Sequence, residues 1–188
     1  FFPSKNLGCY GDGGAIMTRD AELAKQLRMI ANHGQDRQYY HAKVGVNSRL
    51  DSIQAAILRV KLPHLDEYCD ARRRAADYYD AAFAEIPQLK TPVRQHNSTH
   101  VFHQYTLVML EGDRDALRRH LTELHIPAMI YYPVPLYDQQ AFSHYWAGGK
   151  LPVTESLCNS VISLPMHTEL TSEIQDIIIN AVKSYFEK

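Results

Sequence analysis

The chain has 188 residues, room for one ordinary domain or two small ones, and 45% of them are hydrophobic, enough to fill a core. A formal net charge of −1 gives no electrostatic reason to bind nucleic acid or an anionic membrane, and no apolar run approaches the roughly 20 residues of a membrane span. Three cysteines, Cys9, Cys69 and Cys158, lie far apart with no CxxC pair, which suits reduced thiols in the cytoplasm better than a disulfide framework.

The chain opens on FFPSKNLGCYGDGGAI, and no secretory leader is expected from it. Lys5 stands between Pro3 and four glycines, Gly8, Gly11, Gly13 and Gly14. Glycines this dense mark backbone that needs positive φ or a close approach. A lysine on such a connection presents its amine at a fixed point, and desolvation there favours the neutral, nucleophilic form. By spacing alone, a lysine among glycines is more often a solvated loop residue. Ala15, Ile16 and Met17 are expected to form a short buried strand.

Asp20 is expected to cap a helix with Leu23, Leu27 and Ile30 on one face and Gly34 at C′. Residues 34–50 have neither helical nor alternating period and read as a long ordered loop, a type that tends to carry function. Asp51 is expected to cap a second helix, with Ile53, Ala56, Ile57 and Val60 inward, which Pro63 interrupts or kinks. From His64 the pattern resumes at Leu65, Tyr68, Cys69, Arg72, Ala76, Tyr79 and Phe83 as an amphipathic helix of about five turns. Arg72, Arg73 and Arg74 read as a solvated face of it. Residues 87–99 form a polar connection.

The remainder reads as a small α+β unit. Val101–Leu110 alternates with a period of two and predicts a strand. Asp113 caps a helix through His125, with Ala116, Leu117, Leu121 and Leu124 inward. A short strand over 128–131 leads into the Pro-rich turn YYPVPLY. Thr154 is expected to cap a short helix, and residues 161–164 to form a strand. Thr171 should cap the last helix, with Ile174, Ile177, Ile178, Ala181 and Tyr185 buried.

Ten histidines raise the question of a metal. On a strand His100 and His103 point to opposite faces, the others are scattered, and no cysteine or carboxylate stands at ligand spacing, so no metal site is expected. No GxSxG elbow supports a hydrolytic triad. A lysine that holds an aldehyde cofactor remains, because one positioned amine can serve both as imine former and as proton carrier.

The string FFPSKNLGCYGDGGAI resembles the Schiff-base lysine segment of the pyridoxal-phosphate (PLP)-dependent nucleotide-sugar aminotransferases, the DegT/DnrJ group. The resemblance continues through GVNSRLDSIQAAIL, HVFHQYTLVML, IYYPVPLYDQQAF and SLPMHTELT, in that group's order. It implies a fold-type I α/β architecture, with residues 1–75 as the tail of the large cofactor-binding domain and 76–188 as the small C-terminal α+β domain. By the same resemblance Lys5 is catalytic and binds the cofactor pyridoxal 5′-phosphate. Asn47 reaches the cofactor phosphate of a neighbouring subunit in a homodimer with shared active sites, and Arg49 adds positive charge for an anion of the substrate. Tyr131 and Tyr132 line the sugar-nucleotide pocket, although tyrosines at 131 and 137 replace two histidines of the group's usual HYPxPLH turn. From the residues alone, an aromatic pair beside prolines is more often packing, and His167 of the Pro-Met-His motif a strand-end cap.

The activity so implied is transfer of an amino group from L-glutamate to a nucleotide-linked keto-sugar. The closest resemblance is to enzymes that aminate UDP-2-acetamido-2-deoxy-3-oxo-glucuronate for surface polysaccharide, lipopolysaccharide or O-antigen. Amination of a 4-keto-6-deoxysugar nucleotide is the alternative enzyme, and a non-enzymatic interaction module the alternative class. The resemblance also places the phosphate loop and the acidic partner of the pyridine nitrogen upstream of Phe1. These 188 residues alone are therefore expected neither to bind the cofactor tightly nor to turn over.

Overall fold

A computed structural model describes residues 1–146 and 148–187. The backbone separates into two compact units, Phe1–Asp66 and Glu67–Lys188.

In the first unit, α1 (Ala21–Ala31) starts where the Asp20 carboxylate accepts the Leu23 amide at 3.0 Å. Its C-terminus is closed by the chain that follows. The Gly34 amide reaches back to the Met29 carbonyl at 2.8 Å, and the amides of Val46 and Ser48 take the carbonyls of Ile30 and Ala31 at 2.8 and 2.9 Å. Otherwise-orphan helix carbonyls are thus satisfied by the loop. His33 takes the left-handed C′ position (φ 61°), and Gly34 (φ 74°) comes one residue later than the sequence suggests. A Cβ on Gly45 would lie 2.1 Å from the Gly34 nitrogen, so the two glycines let the strands of this loop cross in contact. Residues 34–50 are not all loop: β1 (Gln35–Arg37) and β2 (Tyr40–His41) pair antiparallel around Gln38 and Tyr39, with the Arg37 guanidinium 3.7 Å from the centre of the Tyr40 ring.

Further expectations fail in this unit. Residues 15–17 form no strand, and Ile16 and Met17 are exposed, because nothing among the described residues pairs with their backbone. In α2 (Ser52–Lys61) the stripe through Ile53 and Val60 faces outward, and the buried residue is Leu58. Asp51 occupies the N-cap with extended backbone, yet its side chain makes no capping bond. Pro63 tightens the next turn, 62–64, into a 3₁₀ helix.

The second unit has the larger core. α3 (Leu65–Phe83) buries Cys69, Arg72, Ala75, Ala76, Tyr79 and Phe83; Ala75 joins the expected stripe, and Leu65 and Tyr68 at its start are only half-buried. Arg72 corrects the reading of three solvated arginines: its guanidinium is buried and donates to the carbonyls of Phe102, His103 and Met166 at 3.1, 3.2 and 3.0 Å. Those carbonyls explain why the expected strand 101–110 shrinks to β4 (Tyr105–Met109): residues 102 and 103 turn toward Arg72 instead of a neighbouring strand. The supposedly polar connection contributes β3 (Leu89–Lys90), and the sheet runs β3-β4-β5 antiparallel, with β5 (Val161–Leu164) pairing Leu107 to Ile162 and Tyr105 to Leu164. The strand expected at 128–131 is reduced to one bridge, Met129 to Ser163.

α4 (Arg114–Glu123) begins on Asp113, whose carboxylate accepts the amides of Asp115 and Ala116. It ends two residues early because His125 turns left-handed (φ 58°) and Ile126 bonds back to Leu121, which leaves Leu124 exposed. α5 (Pro152–Ser160) starts at Leu151 with Pro152 in its first turn, so Thr154 lies inside the helix and is not its cap. α6 (Ser172–Phe186) is capped by Thr171 as expected, but it buries Gln175, Ile178, Ile179, Ala181 and Val182, while Ile174 and Ile177 are exposed.

Candidate active site

Lys5 sits at the tip of a closed loop. Its own amide bonds to the Phe2 carbonyl at 2.9 Å, and below it the Cys9 amide bonds to the Phe1 carbonyl at 2.8 Å. The Phe1 nitrogen donates to the Gly13 carbonyl at 2.8 Å, and the buried Cys9 thiol lies 3.0 and 3.1 Å from the carbonyls of Phe1 and Gly11. Gly8 is obligatory at the neck, since a Cβ there would come 2.4 Å from the Pro3 carbonyl oxygen. Gly8, Gly11 and Gly13 thus make the close approaches the sequence suggests, whereas a Cβ on Gly14 would meet nothing within 4 Å and none of the four has positive φ. The Lys5 side chain itself is exposed, so residues of this unit do not supply the desolvation expected for it.

Two side chains of α2, which sequence reasoning passed over, grip this neck. The Lys61 ammonium donates to the Gly8 carbonyl at 2.8 Å, and the Gln54 side-chain oxygen accepts the Tyr10 amide at 2.8 Å. Their seven-residue spacing, two helical turns on the side of Leu58, is the sequence signal that could have found them.

Asn47 and Arg49 are brought together in the same unit. Arg49 Nε donates to Asn47 Oδ1 and Arg49 Nη1 to Asn32 Oδ1, both at 3.1 Å, beside the backbone bridge from Asn32 to Asn47. With its oxygen engaged, the Asn47 amide has its NH₂ left to donate, and the guanidinium keeps further N–H donors. Arg49 also lines a cavity of about 750 Å³ with Arg28, Ser48, Asp12, Gly13 and Gly14; Lys5 and Asn47 are not among its lining residues. His41 Nδ1 bonds to the His33 carbonyl at 2.8 Å, which accounts for these two histidines locally.

In the second unit Tyr131 and Tyr132 line a mostly apolar cavity of about 440 Å³ with Val134, Leu136, Leu157 and Cys158. Their rings meet edge to face at 5.6 Å, and the peptide between them is cis. Buried Arg114 supports one wall by donating to the carbonyls of Cys158 and Val161 at the end of α5. Tyr137 donates to Glu155 at 2.8 Å; desolvation and this hydrogen bond raise its pKa, which keeps the phenol a donor. His167 Nδ1 accepts the Glu169 amide at 3.2 Å, a turn contact. Among the described residues no group of three or more His, Cys, Asp or Glu could hold a metal ion.

What these two units make is part of a fold-type I PLP-dependent transferase. The chain belongs to the DegT/DnrJ/EryC1/StrS aminotransferase family, whose sequence profile matches residues 1–183. It is 45% identical over 182 residues to the UDP-2-acetamido-2-deoxy-3-oxo-D-glucuronate aminotransferase of Pseudomonas aeruginosa, a match covering 97% of this chain and 49% of that one. A DegT DnrJ EryC1 StrS aminotransferase from Brucella abortus superposes with a TM-score of 0.92 at 43% identity, over 100% of this chain and 50% of its own. The Bacillus subtilis protein ntda, solved with the cofactor PMP bound, superposes with a TM-score of 0.89 at 26% identity, over 99% of this chain and 44% of its own. The chain spans about half the length of the curated relatives it matches.

The cofactor of this family, PLP, offers an aldehyde and a phosphate. The residues present fit both. An exposed primary amine stands on a shaped loop at Lys5, and an amide donor is paired with a guanidinium at Asn47 and Arg49.

Proposed function

We propose that this chain is the lysine-bearing part of a PLP-dependent aminotransferase that moves an amino group from L-glutamate to a UDP-linked 3-oxo sugar. The observation that carries it is Lys5 itself: an exposed amine at the tip of a loop whose backbone is fixed on both sides, within a family match running over residues 1–183. When bound, the cofactor supplies an electron sink for the electrons left on the substrate α-carbon. Lys5 would hold the cofactor at its aldehyde, and the Nζ amine would carry the proton of the substrate α-carbon. The Asn47 NH₂ would donate to the cofactor phosphate of a neighbouring subunit in a homodimer, and Arg49 would offer its planar fork to a phosphate or carboxylate of the substrate. Tyr131 and Tyr132 give the sugar nucleotide an apolar, aromatic wall.

The 3-oxo-glucuronate substrate is supported by the Pseudomonas relative, which acts on UDP-2-acetamido-2-deoxy-3-oxo-D-glucuronate. That substrate class supports the expected place in surface-polysaccharide synthesis in the cytoplasm. The 188 residues by themselves hold the cofactor weakly, since exposed Lys5 alone offers a hydrolysable bond to water.

Borohydride reduction of the full-length protein with PLP tests the assignment. The pyridoxyl group is expected on Lys5. Lys61 bonds to the Gly8 carbonyl and Lys43 to Gln26 at 3.0 Å. A label on either of them with Lys5 unmodified overturns the reading.

A further inference from the structure

We propose that Gln54 and Lys61 are positioning residues for Lys5: from one face of α2 they fix the neck of the loop that carries it. The inference rests on the assignment of Lys5 to the cofactor made above.

Both contacts go to backbone atoms, the Tyr10 amide and the Gly8 carbonyl, so they set the path of the chain and not merely a side-chain rotamer. The helix presents them two turns apart, with Leu58, its one buried residue, between them. Lys61 also stands 5.5 Å from the centre of the Tyr10 ring, so the cation meets the loop on both sides of Cys9, at Gly8 and at Tyr10. Gln54 Nε2 lies 3.1 Å from where a Gly11 Cβ would stand, so that glycine lets the helix side chain lie against the backbone.

The other side of the neck has little slack. Gly8 touches the Pro3 carbonyl, the Cys9 amide bonds to Phe1, and the Lys5 amide bonds to Phe2. Only residues 3–8 lie between the two closed sides, and Lys5 is in their middle. A displacement of Gly8 is therefore transmitted to Lys5 without a flexible linker to absorb it. Reactions that need a near-attack geometry lose rate steeply with such displacements, by up to about a hundredfold for 1 Å. Lys61 is in the last turn of α2, where the helix carbonyl end favours a cation, so the ammonium is held from both sides.

The test compares Lys61→Met, Lys61→Arg, Gln54→Leu and Gln54→Glu in the full-length protein, with Arg59→Met as a control cation on the same helix. Two quantities are read besides turnover. One is the rate at which PLP becomes borohydride-reducible at Lys5. The other is the rate of Lys5 acylation by a small reagent in cofactor-free protein, by peptide mass spectrometry. Lys61→Met and Gln54→Leu are expected to slow cofactor capture by about tenfold and to change the acylation rate, with the melting temperature of Arg59→Met as reference. Lys61→Arg, which keeps a donor, and Gln54→Glu, which keeps an acceptor, recover most of the capture rate. A purely structural tie lowers the melting temperature while leaving Lys5 capture and acylation as in the parent, and that result overturns the proposal. In that case Lys5→Ala still abolishes the adduct, and the reading of Lys5 stands. If Lys5→Ala forms the same adduct elsewhere, the assignment of Lys5 falls and this inference falls with it.

Discussion

Arg72 shows how far a single side chain departs from its composition class. Three consecutive arginines suggest a wet helix face, and Arg74 is exposed while Arg73 pairs with Asp70 on the surface. Arg72 instead ties two loops to α3 through the carbonyls of Phe102, His103 and Met166. Burial lowers its pKa from the ordinary arginine value, a cost that three carbonyl acceptors offset while the group stays cationic. Arg72→Met keeps most of the volume but leaves those buried carbonyls without a donor. It is expected to destabilise the second unit by about 3 kcal/mol in denaturant titration. A loss below about 0.5 kcal/mol would mean that water replaces the guanidinium. The nearby network is of the same kind. Tyr105 donates to Asp80 at 2.6 Å and Arg94 spans Asp80 and Asp77, and burial together with the Asp80 bond holds the Tyr105 phenol protonated.

At the scale of elements, helix caps can be tested by pH. Asp113 holds the first turn of α4, and the Ala116 amide is the largest cause of its lowered pKa. A carboxylate with a folded pKa below its unfolded value contributes stability above the unfolded pKa, and that contribution is lost as pH falls through the folded pKa. Asp113→Asn keeps a capping oxygen without the charge. It should leave the melting temperature at neutral pH nearly unchanged and flatten its fall below about pH 4. A parent and variant that fall in parallel would show that the charge contributes nothing. The caps at Asp20, Asp113 and Thr171 were legible because a short oxygen-bearing side chain before an apolar period has few other uses. The buried face of α6 was legible only in part, at Ile178 and Ala181. Ile174, Ile177, Ile178 and Ile179 offer two overlapping stripes, and the choice is set by Gln175, whose amide donates to the Ala75 carbonyl at 2.9 Å. Strand β4 was over-read because Val101 and His103 extend the alternation, while the carbonyls of 102 and 103 are claimed by a residue some 30 positions away. At the site, Lys5 and its glycines stand out locally, whereas Gln54 and Lys61 act across 44 and 53 residues and only the fold brings them there.

For the whole molecule the open question is how a site is completed. The first unit places Lys5 on one loop and the Asn47–Arg49 pair on another, and the pair is exposed. The same unit carries outward-facing apolar side chains, among them Met17 at 92% exposure, Val44 at 97% and Ile53 at 73%, a pattern that calls for covering surface. A two-fold dimer would let one subunit's Asn47 and Arg49 serve the other's Lys5, because a self-complementary interface brings each loop to the partner once. This arrangement has a consequence that a self-contained site lacks. Full-length Lys5→Ala subunits and full-length Asn47→Ala, Arg49→Ala subunits should each be inactive alone. After mixing and verified subunit exchange, each mixed dimer holds one site with an intact Lys5 and an intact partner loop, and one site with neither. Transamination should therefore reappear, to no more than half the sites of each mixed dimer, with a KM for the sugar nucleotide equal to that of the parent. If exchange is complete by mass spectrometry and no activity returns, Asn47 and Arg49 serve their own subunit's Lys5 or none.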